Sequence, residues 1–408
     1  MESLKSAHPR RLRPRKPALG QAQSPARLSA DTTDRRRSPR YLGDEEQFFG
    51  ETRSVIERAK PGDLLYLQMY EFENELTHGN THNATGAPGY ADQQAILPGL
   101  VEAAKRGVNV QLVLDESSSM SGQVPNKAIV KYLRKNAPEN LTIDFYPKKE
   151  VNIDHAKELV HLSPKDDGSY EVQEAITGGS NYGNHTAANN DGGAAFYGGD
   201  ALGAAVVFQR DQAYCRRLAY ETPALPEGPV QWLETSKESD AVREQMLELL
   251  RQCDTAWIQQ FVLTHGDVMD GLKEKGTKAH VVLDSGWSTY DKEAEADMLA
   301  AGVNVVWSNP TGGAKMHRKE GIYLDAQGDF LAGQIGSANA TAKGLNKSTS
   351  HRRANHEIVA FVRPYESAHY STKPLLQGML EKAQENLANG VATPTPVPID
   401  TEEFLGDG

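Results

Sequence analysis

VNIDHAKELVHL (residues 151–162) and AKMHRKEGIYLD (residues 314–325) each place a His-x-Lys triplet at the head of an apolar run. Successive residues of a strand alternate faces, so on a strand His155 points the same way as Lys157, and His317 the same way as Lys319. A single such triplet is what any surface strand can offer. Two of them, each leading into a similar apolar run, raise the question of whether the surrounding sequence repeats as well.

It does, element by element. In the first half a helix ending near Lys60 leads to an apolar strand (LLYLQMYEF, 64–72), a helix (ILPGLVEAAKRG, 96–107) and a strand closing on an acid (VNVQLVLD, ending at Asp115). In the second half a helix (REQMLELLRQC, 243–253) leads to a strand (WIQQFVL, 257–263), a helix (VMDGLKEKG, 268–276) and a strand closing on Asp284 (AHVVLD). Each half continues with a helix (KAIVKYLRKN; EAEADMLAAG), a strand (LTIDFY; VNVVW), the His-x-Lys triplet on a further strand, and a glycine-rich turn ending in Asn. Strands alternating with helices predict an α/β fold, with sheets covered by helices. The duplication predicts two similar α/β lobes, 43–222 and 230–390, forming a bilobed pseudo-dimer with one shared active site. The Pro-rich ETPALPEGP (221–229) separates them.

Outside the lobes the composition changes. Residues 1–42 are rich in Arg, Pro, Ser and Ala without hydrophobic periodicity, and are expected to form a disordered basic arm. Residues 391–408 read as a Pro-rich, then acidic, tail. Residues 1–40 carry a balance of +8, which leaves −19 of the overall −11 on the rest of the chain. An acidic body disfavours a broad track for duplex DNA, whose nonspecific affinity comes from Lys and Arg neutralising phosphates. No apolar run approaches the roughly 18 residues that span a bilayer. The basic N-terminus lacks the apolar segment of a secretory signal, which favours a soluble, cytoplasmic protein. Two cysteines, Cys215 and Cys253, form neither a disulfide framework nor a metal signature.

The chemistry is carried by three features that recur in the same order. His155-Ala-Lys157 is followed by Gly178-Gly179-Ser180-Asn181 and then Asp191; His317-Arg-Lys319 is followed by Gly336-Ser337-Ala338-Asn339 and then Glu357. A phosphodiester is anionic and resists attack, so its cleavage needs positive charge at the non-bridging oxygens, a nucleophile, and a proton donor for the departing alcohol. Lys157, Lys319, Asn181 and Asn339 can hold the oxygens, with Ser180 and Ser337 beside them as substrate-binding hydroxyls. One His can attack phosphorus while the other protonates the leaving oxygen. Asp191 and Glu357 can fix the imidazole tautomers. Such a site needs no metal and no cofactor. Asp115 and Asp284 line the cleft or cap the helices that follow. His78 and His82 lie in a Gly/Asn-rich loop without partner ligands and read as solvated. Lys343, Lys347, Arg352 and Arg353 should fall near the site mouth.

Taken together, the paired motifs resemble those of the phospholipase D superfamily, whose mark is two copies of His-x-Lys, each followed by Gly-Gly/Ser-x-Asn. The resemblance covers about residues 45–390. It implies a bilobed α/β fold with one active site between the lobes and a covalent phosphohistidine released by water or an alcohol. It further implies His155 as nucleophile and His317 as general acid. The family pattern has an Asp five residues after each Lys; here those positions are Leu162 and Leu324, with Asp325 displaced by one. The substrate expected is a phospholipid or another phosphodiester, met by a monomer with peripheral membrane contact. A metal-independent nuclease of the same superfamily and a noncatalytic lipid- or phosphate-binding scaffold are the competing readings.

Overall fold

The computed structural model describes residues 25–29, 37–78, 86–116, 125–147, 151–183, 186–223, 227–285, 292–308 and 314–392. Its strands fall into two seven-stranded sheets with the same plan. The first runs β1 (Arg40–Leu42), β7 (Gly193–Tyr197), β6 (Tyr170–Gly178), β5 (Lys157–Pro164), β2 (Leu64–Met69), β3 (Asn109–Asp115) and β4 (Leu141–Tyr146). The second runs β8 (Val230–Thr235), β14 (Glu357–Val362), β13 (Phe330–Gly336), β12 (Lys319–Leu324), β9 (Thr255–Gln260), β10 (Ala279–Asp284) and β11 (Asn304–Ser308). In each, three parallel strands joined through helices abut an antiparallel set that begins with the His-x-Lys strand.

The helices correspond as well. On the outer faces α1 (Glu45–Arg58), α3 (Tyr90–Lys105) and α4 (Pro125–Asn136) of the first lobe match α6 (Ala241–Gln252), α7 (Gly266–Lys275) and α8 (Lys292–Ala300) of the second. Their apolar faces are dictated by helical spacing: α1 buries Phe48, Phe49, Thr52, Val55 and Ile56 and opens on Asp44, whose carboxylate accepts the Gln47 N–H at 2.8 Å as an N-cap. The four-residue α2 (Glu75–His78) and α9 (Ala342–Leu345) are local turns.

What joins the lobes is the inner core. Helices α5 (Leu202–Arg216) and α10 (Lys373–Asn389) help form one buried cluster that draws from both sheets: Tyr66, Val160, Phe196 and Phe208 with Trp232, Ile322, Ile358, Leu376 and Met379. Tyr66 on β2 stacks on Phe208 of α5 with ring centroids 4.3 Å apart, a contact worth about 1 kcal/mol beyond its area. A core that needs both lobes fixes their mutual placement, and with it anything built at the seam.

The basic arm is shorter than its composition suggests. Arg40–Leu42 pair antiparallel with β7, and Leu42 is fully buried. An exposed sheet edge has unsatisfied backbone groups, and three residues with one apolar side chain suffice to cover it. Ser29 and Arg27 exchange backbone hydrogen bonds with Tyr170 at 2.8 Å. Arg37 lies 3.7 Å over the Tyr197 ring and Arg40 pairs with Glu51 at 3.0 Å, so part of the basic run serves the protein itself. The strand β8, on the same edge of the second sheet, is the counterpart of β1. At the other end Val391 exchanges backbone hydrogen bonds with Trp307; residues 393–408 and His82 lie outside the described residues. No helix among the described residues is long and apolar enough to cross a membrane.

Candidate active site

Both triplets sit at the seam, each with its His two residues ahead of the strand on which the sequence places it. β5 starts at Lys157 and β12 at Lys319, so each His precedes its strand. The reason is a cross-lobe backbone exchange: the His155 N–H donates to the His356 carbonyl at 2.8 Å, and the His317 N–H to the Asn190 carbonyl at 3.0 Å. Asp115 and Asp284, at the ends of β3 and β10, have matching positioning roles. Asp115 Oδ2 accepts the Asp154 N–H at 2.6 Å and Asp284 Oδ2 accepts the Met316 N–H at 2.8 Å, so each fixes the residue before a His.

The two acids cross between lobes. His155 Nδ1 lies 2.9 Å from Glu357 Oε2, and His317 Nδ1 lies 2.8 Å from Asp191 Oδ2. Each imidazole is therefore oriented by the carboxylate of the opposite half, with Nε2 on the far side of the ring; Lys319 Nζ lies 3.0 Å from His317 Nε2. Burial raises Glu357 to about 7 against the pull of Lys157, and raises Asp191 to about 6 against that of Lys319 and Arg318. Burial also holds His317 well below its ordinary value, reinforced by Lys319, Lys157, His155 and Lys315. The crossed pairs bring the two motifs together at the seam, where His155 and Lys157 of the first lobe are among the charges that lower His317.

The lysines are buried with the histidines. Lys157 Nζ donates to the His155 carbonyl at 2.7 Å and lies 5.5 Å from the Tyr70 ring centroid; Lys319 Nζ donates to the His317 carbonyl at 2.6 Å and lies 5.3 Å from that of Phe261. Tyr70 and Phe261, each just past the matching strands β2 and β9, also pack on the imidazoles, with centroids 5.1 Å from His155 and 4.6 Å from His317. Asn181 donates to Glu71 Oε2 at 3.2 Å. Burial lifts Glu71 to about 7, helped by Glu73 and opposed by Lys315 and Lys157. Tyr70, Phe261, Glu71 and Lys315 were not legible as site residues; the only signal was their place directly after a repeated strand or before a repeated motif.

Close approach explains the glycines. A Cβ on Gly178 would stand 2.2 Å from the Gly192 carbonyl, and one on Gly336 2.2 Å from that of Ile358. The two serines, expected to meet substrate, each donate to a carboxylate. Ser180 Oγ donates to Glu45 at 2.8 Å and Ser337 Oγ to Glu357 Oε2 at 2.6 Å; both side chains are fully buried. They are not equivalent either, because Ser337 follows Gly336 directly, as Gly179 follows Gly178. A Cβ at Gly179 would meet Asp191 Oδ1 at 2.5 Å.

Leu162 and Leu324 lie buried in β5 and β12, and Asp325 accepts the backbone N–H groups of Gln327 and Asp329 in the hairpin that follows, away from the imidazoles. Of the basic cluster, Lys347, Arg352 and Arg353 are exposed, and the Lys343 carbonyl accepts the N–H of Asn355, which itself donates to Glu357 at 3.2 Å. That run is thus tied to the His155 side of the seam.

No protein-family model matches the sequence, and neither does any curated protein. Solved structures do. The chain is similar to phosphatidylserine synthase of Haemophilus influenzae Rd KW20, with a TM-score of 0.60 and 11% identity over 93% of both chains. It is also similar to polyphosphate kinase of Porphyromonas gingivalis, with a TM-score of 0.53 and 10% identity over 92% of this chain and 56% of that one, so it spans little more than half of that enzyme. At these identities the likeness is one of fold: the chain shares the architecture of both structures over more than nine-tenths of its length.

Proposed function

We propose that the chain is a phospholipase D-like phosphodiesterase that cleaves phospholipid phosphodiesters through a covalent phosphohistidine, releasing the phosphoryl group to water or to an alcohol. The observation that carries this reading is the crossed arrangement of the two imidazoles, each held at Nδ1 by the other lobe's carboxylate, with both lysines buried alongside. His155 Nε2 attacks phosphorus as the bond to the leaving alcohol breaks, and His317 supplies the proton that the departing oxygen needs. Water or an alcohol then gives its proton back to His317 and displaces His155, which restores both groups. Lys157, Lys319, Asn181 and Asn339 neutralise and orient the non-bridging oxygens.

His317 must be protonated to act first as an acid, yet burial, reinforced by Lys319, Lys157, His155 and Lys315, disfavours its charged form. A bound phosphodiester supplies the missing counter-charge, so substrate binding and proton uptake are coupled. The acidic balance of the chain beyond residue 40 supports a lipid substrate over duplex DNA, whose nonspecific affinity comes from Lys and Arg.

The test is turnover, with EDTA present, on phosphatidylcholine vesicles, on single-stranded DNA and on a chromogenic diester, for the native chain, His155→Asn and His317→Asn. Lipid and chromogenic turnover that both substitutions lower by about 10⁴-fold or more supports the reading. Cleavage of DNA alone favours a nuclease, and turnover that survives in both variants overturns the two-histidine mechanism.

A further inference from the structure

Directly behind the His155–Glu357 pair lies a second polar cluster that this chemistry does not use. Asp154 and His356, one residue before His155 and Glu357, form a short parallel bridge between the lobes. His356 Nδ1 lies 3.0 Å from Asp154 Oδ1, which turns Nε2 toward Asp211 Oδ2 of α5 at 3.2 Å and Glu234 Oε2 of β8 at 3.4 Å. His356 is fully buried, Asp211 is 2% exposed and the Glu234 side chain 16%. Despite these short distances, neither His356 Nε2 nor Asp211 Oδ2 has a hydrogen-bond partner among the described residues, and the same holds for both carboxylate oxygens of buried Glu158, which is within electrostatic reach of Asp211, His356 and Asp154.

The opposite lobe shows what is missing. Its counterpart bridge is Asn190–Met316, and its counterpart of Glu158 is Glu320; the two glutamates pair in register with Gln68 and Gln259 on the matching neighbour strands. There a fully buried Arg318 guanidinium fills the space, donating to Glu320 Oε1 at 2.8 Å, Tyr41 Oη at 2.7 Å, the Asp191 carbonyl at 2.7 Å and, through Nε, Asn190 Oδ1 at 3.0 Å. The residue in the place of Arg318 in the first lobe is Ala156. Four acids, Asp154, Glu158, Asp211 and Glu234, therefore share one imidazole, the Gln68 amide on Asp154, and the half-buried Arg210, which meets Glu234 Oε2 and lies 3.7 Å from Asp211 Oδ1. Burial raises Glu158 and Asp211, so buried carboxylates in such excess must be offset by protons or by a cation.

The geometry points to a divalent transition-metal site, ligated by His356 Nε2, Asp211 and Glu234, that staples the two lobes behind the candidate active site. With metal–nitrogen and metal–oxygen distances of about 2.0–2.2 Å, the ligand atoms of a tetrahedral ion stand about 3.3–3.6 Å apart. The 3.2 and 3.4 Å separations fall at that spacing. An imidazole whose other nitrogen faces a carboxylate is also the usual arrangement at a metal, because it fixes the ring and sharpens its basicity. Asp211 belongs to the first lobe, Glu234 and His356 to the second, and the His356 carbonyl holds the His155 N–H. The ion is a structural counterpart of Arg318 and takes no part in phosphoryl transfer, so this inference does not depend on the activity proposed above.

The test uses the full chain, purified without a polyhistidine tag, stripped with EDTA and titrated with Zn²⁺. Elemental analysis should then find about one equivalent of zinc, and a hundredfold excess over Kd should raise the melting temperature by about 4 °C. His356→Gln and Asp211→Asn should each abolish both. Wild-type chain that binds no zinc and shows no thermal shift overturns the proposal even if the variants fail to fold. Zinc binding that persists in both variants places the ion elsewhere and overturns it too.

Discussion

Around His155 the first half of the site sets Tyr70 and, one residue on, Glu71; around His317 the second half sets Phe261, then Val262. Two residues before His155 stands Ile153, and before His317 stands Lys315, whose Nζ lies 5.9 Å from the Phe261 ring centroid. The reacting groups are duplicated faithfully, while the shells around them are not. One half carries an extra acid; the other carries an extra base, which adds to burial and the nearer charges in lowering His317. Duplication supplies two imidazoles of like geometry, and only such differences in surroundings can give them different tasks.

The comparison breaks most visibly at the crossed acids. Asp191→Asn and Glu357→Gln should each lower kcat about 10²–10⁴-fold with little change in KM, because each imidazole loses its fixed tautomer while the phosphate cradle stays in place. Steady-state kinetics on the chromogenic diester checks this, and normal turnover in either variant would show that the crossing is only structural.

Next in size is the extra acid. Glu71, lifted to about 7 chiefly by burial, is neutral well below that pH and charged well above it. A charged Glu71 competes with the substrate's anion for Lys157 and Lys315, so KM should rise several-fold between pH 6 and pH 8. In Glu71→Gln that rise should disappear, with KM at pH 8 close to the native value at pH 6. An unchanged pH profile would remove Glu71 from the site.

The smallest effect separates the serines. Ser337→Ala removes a hydroxyl from the carboxylate that orients His155 and should lower kcat about tenfold. Ser180→Ala loses its bond to Glu45, outside the imidazole pairs, and should cost about 1–2 kcal/mol of stability while kcat holds. Equal kinetic losses in the two would restore the equivalence that the sequence suggests.

Much of this arrangement could be read in advance. The strand–helix order, the paired triplets and the recurrent Asn and acid are local patterns, and local patterns survive in a sequence. What could not be read was pairing over distance. Nothing in the chain says that Glu357 serves a histidine 202 residues away, or Asp191 one 126 residues away, because each acid lies nearer in sequence to its own lobe's motif. Strand β1 escaped because three residues amid Arg and Pro carry no period, and only the open edge of β7 makes them a strand. The different partners of the two serines were hidden because GGSN and GSAN align at their ends while the residues between are shifted by one. The partners of Arg318 were hidden for the same reason as the crossed acids: Tyr41 and Asn190 are 277 and 128 residues away.

The most direct measurement is to trap the covalent intermediate. His317→Asn, which lacks the acid but retains His155 and both lysines, is mixed with a diester whose leaving group needs no proton, quenched at alkaline pH and mapped by mass spectrometry. Phosphoryl on His155, absent from His155→Asn, is the result predicted here. A quenched chain that carries no phosphoryl group, or carries it on any other residue, would contradict the account.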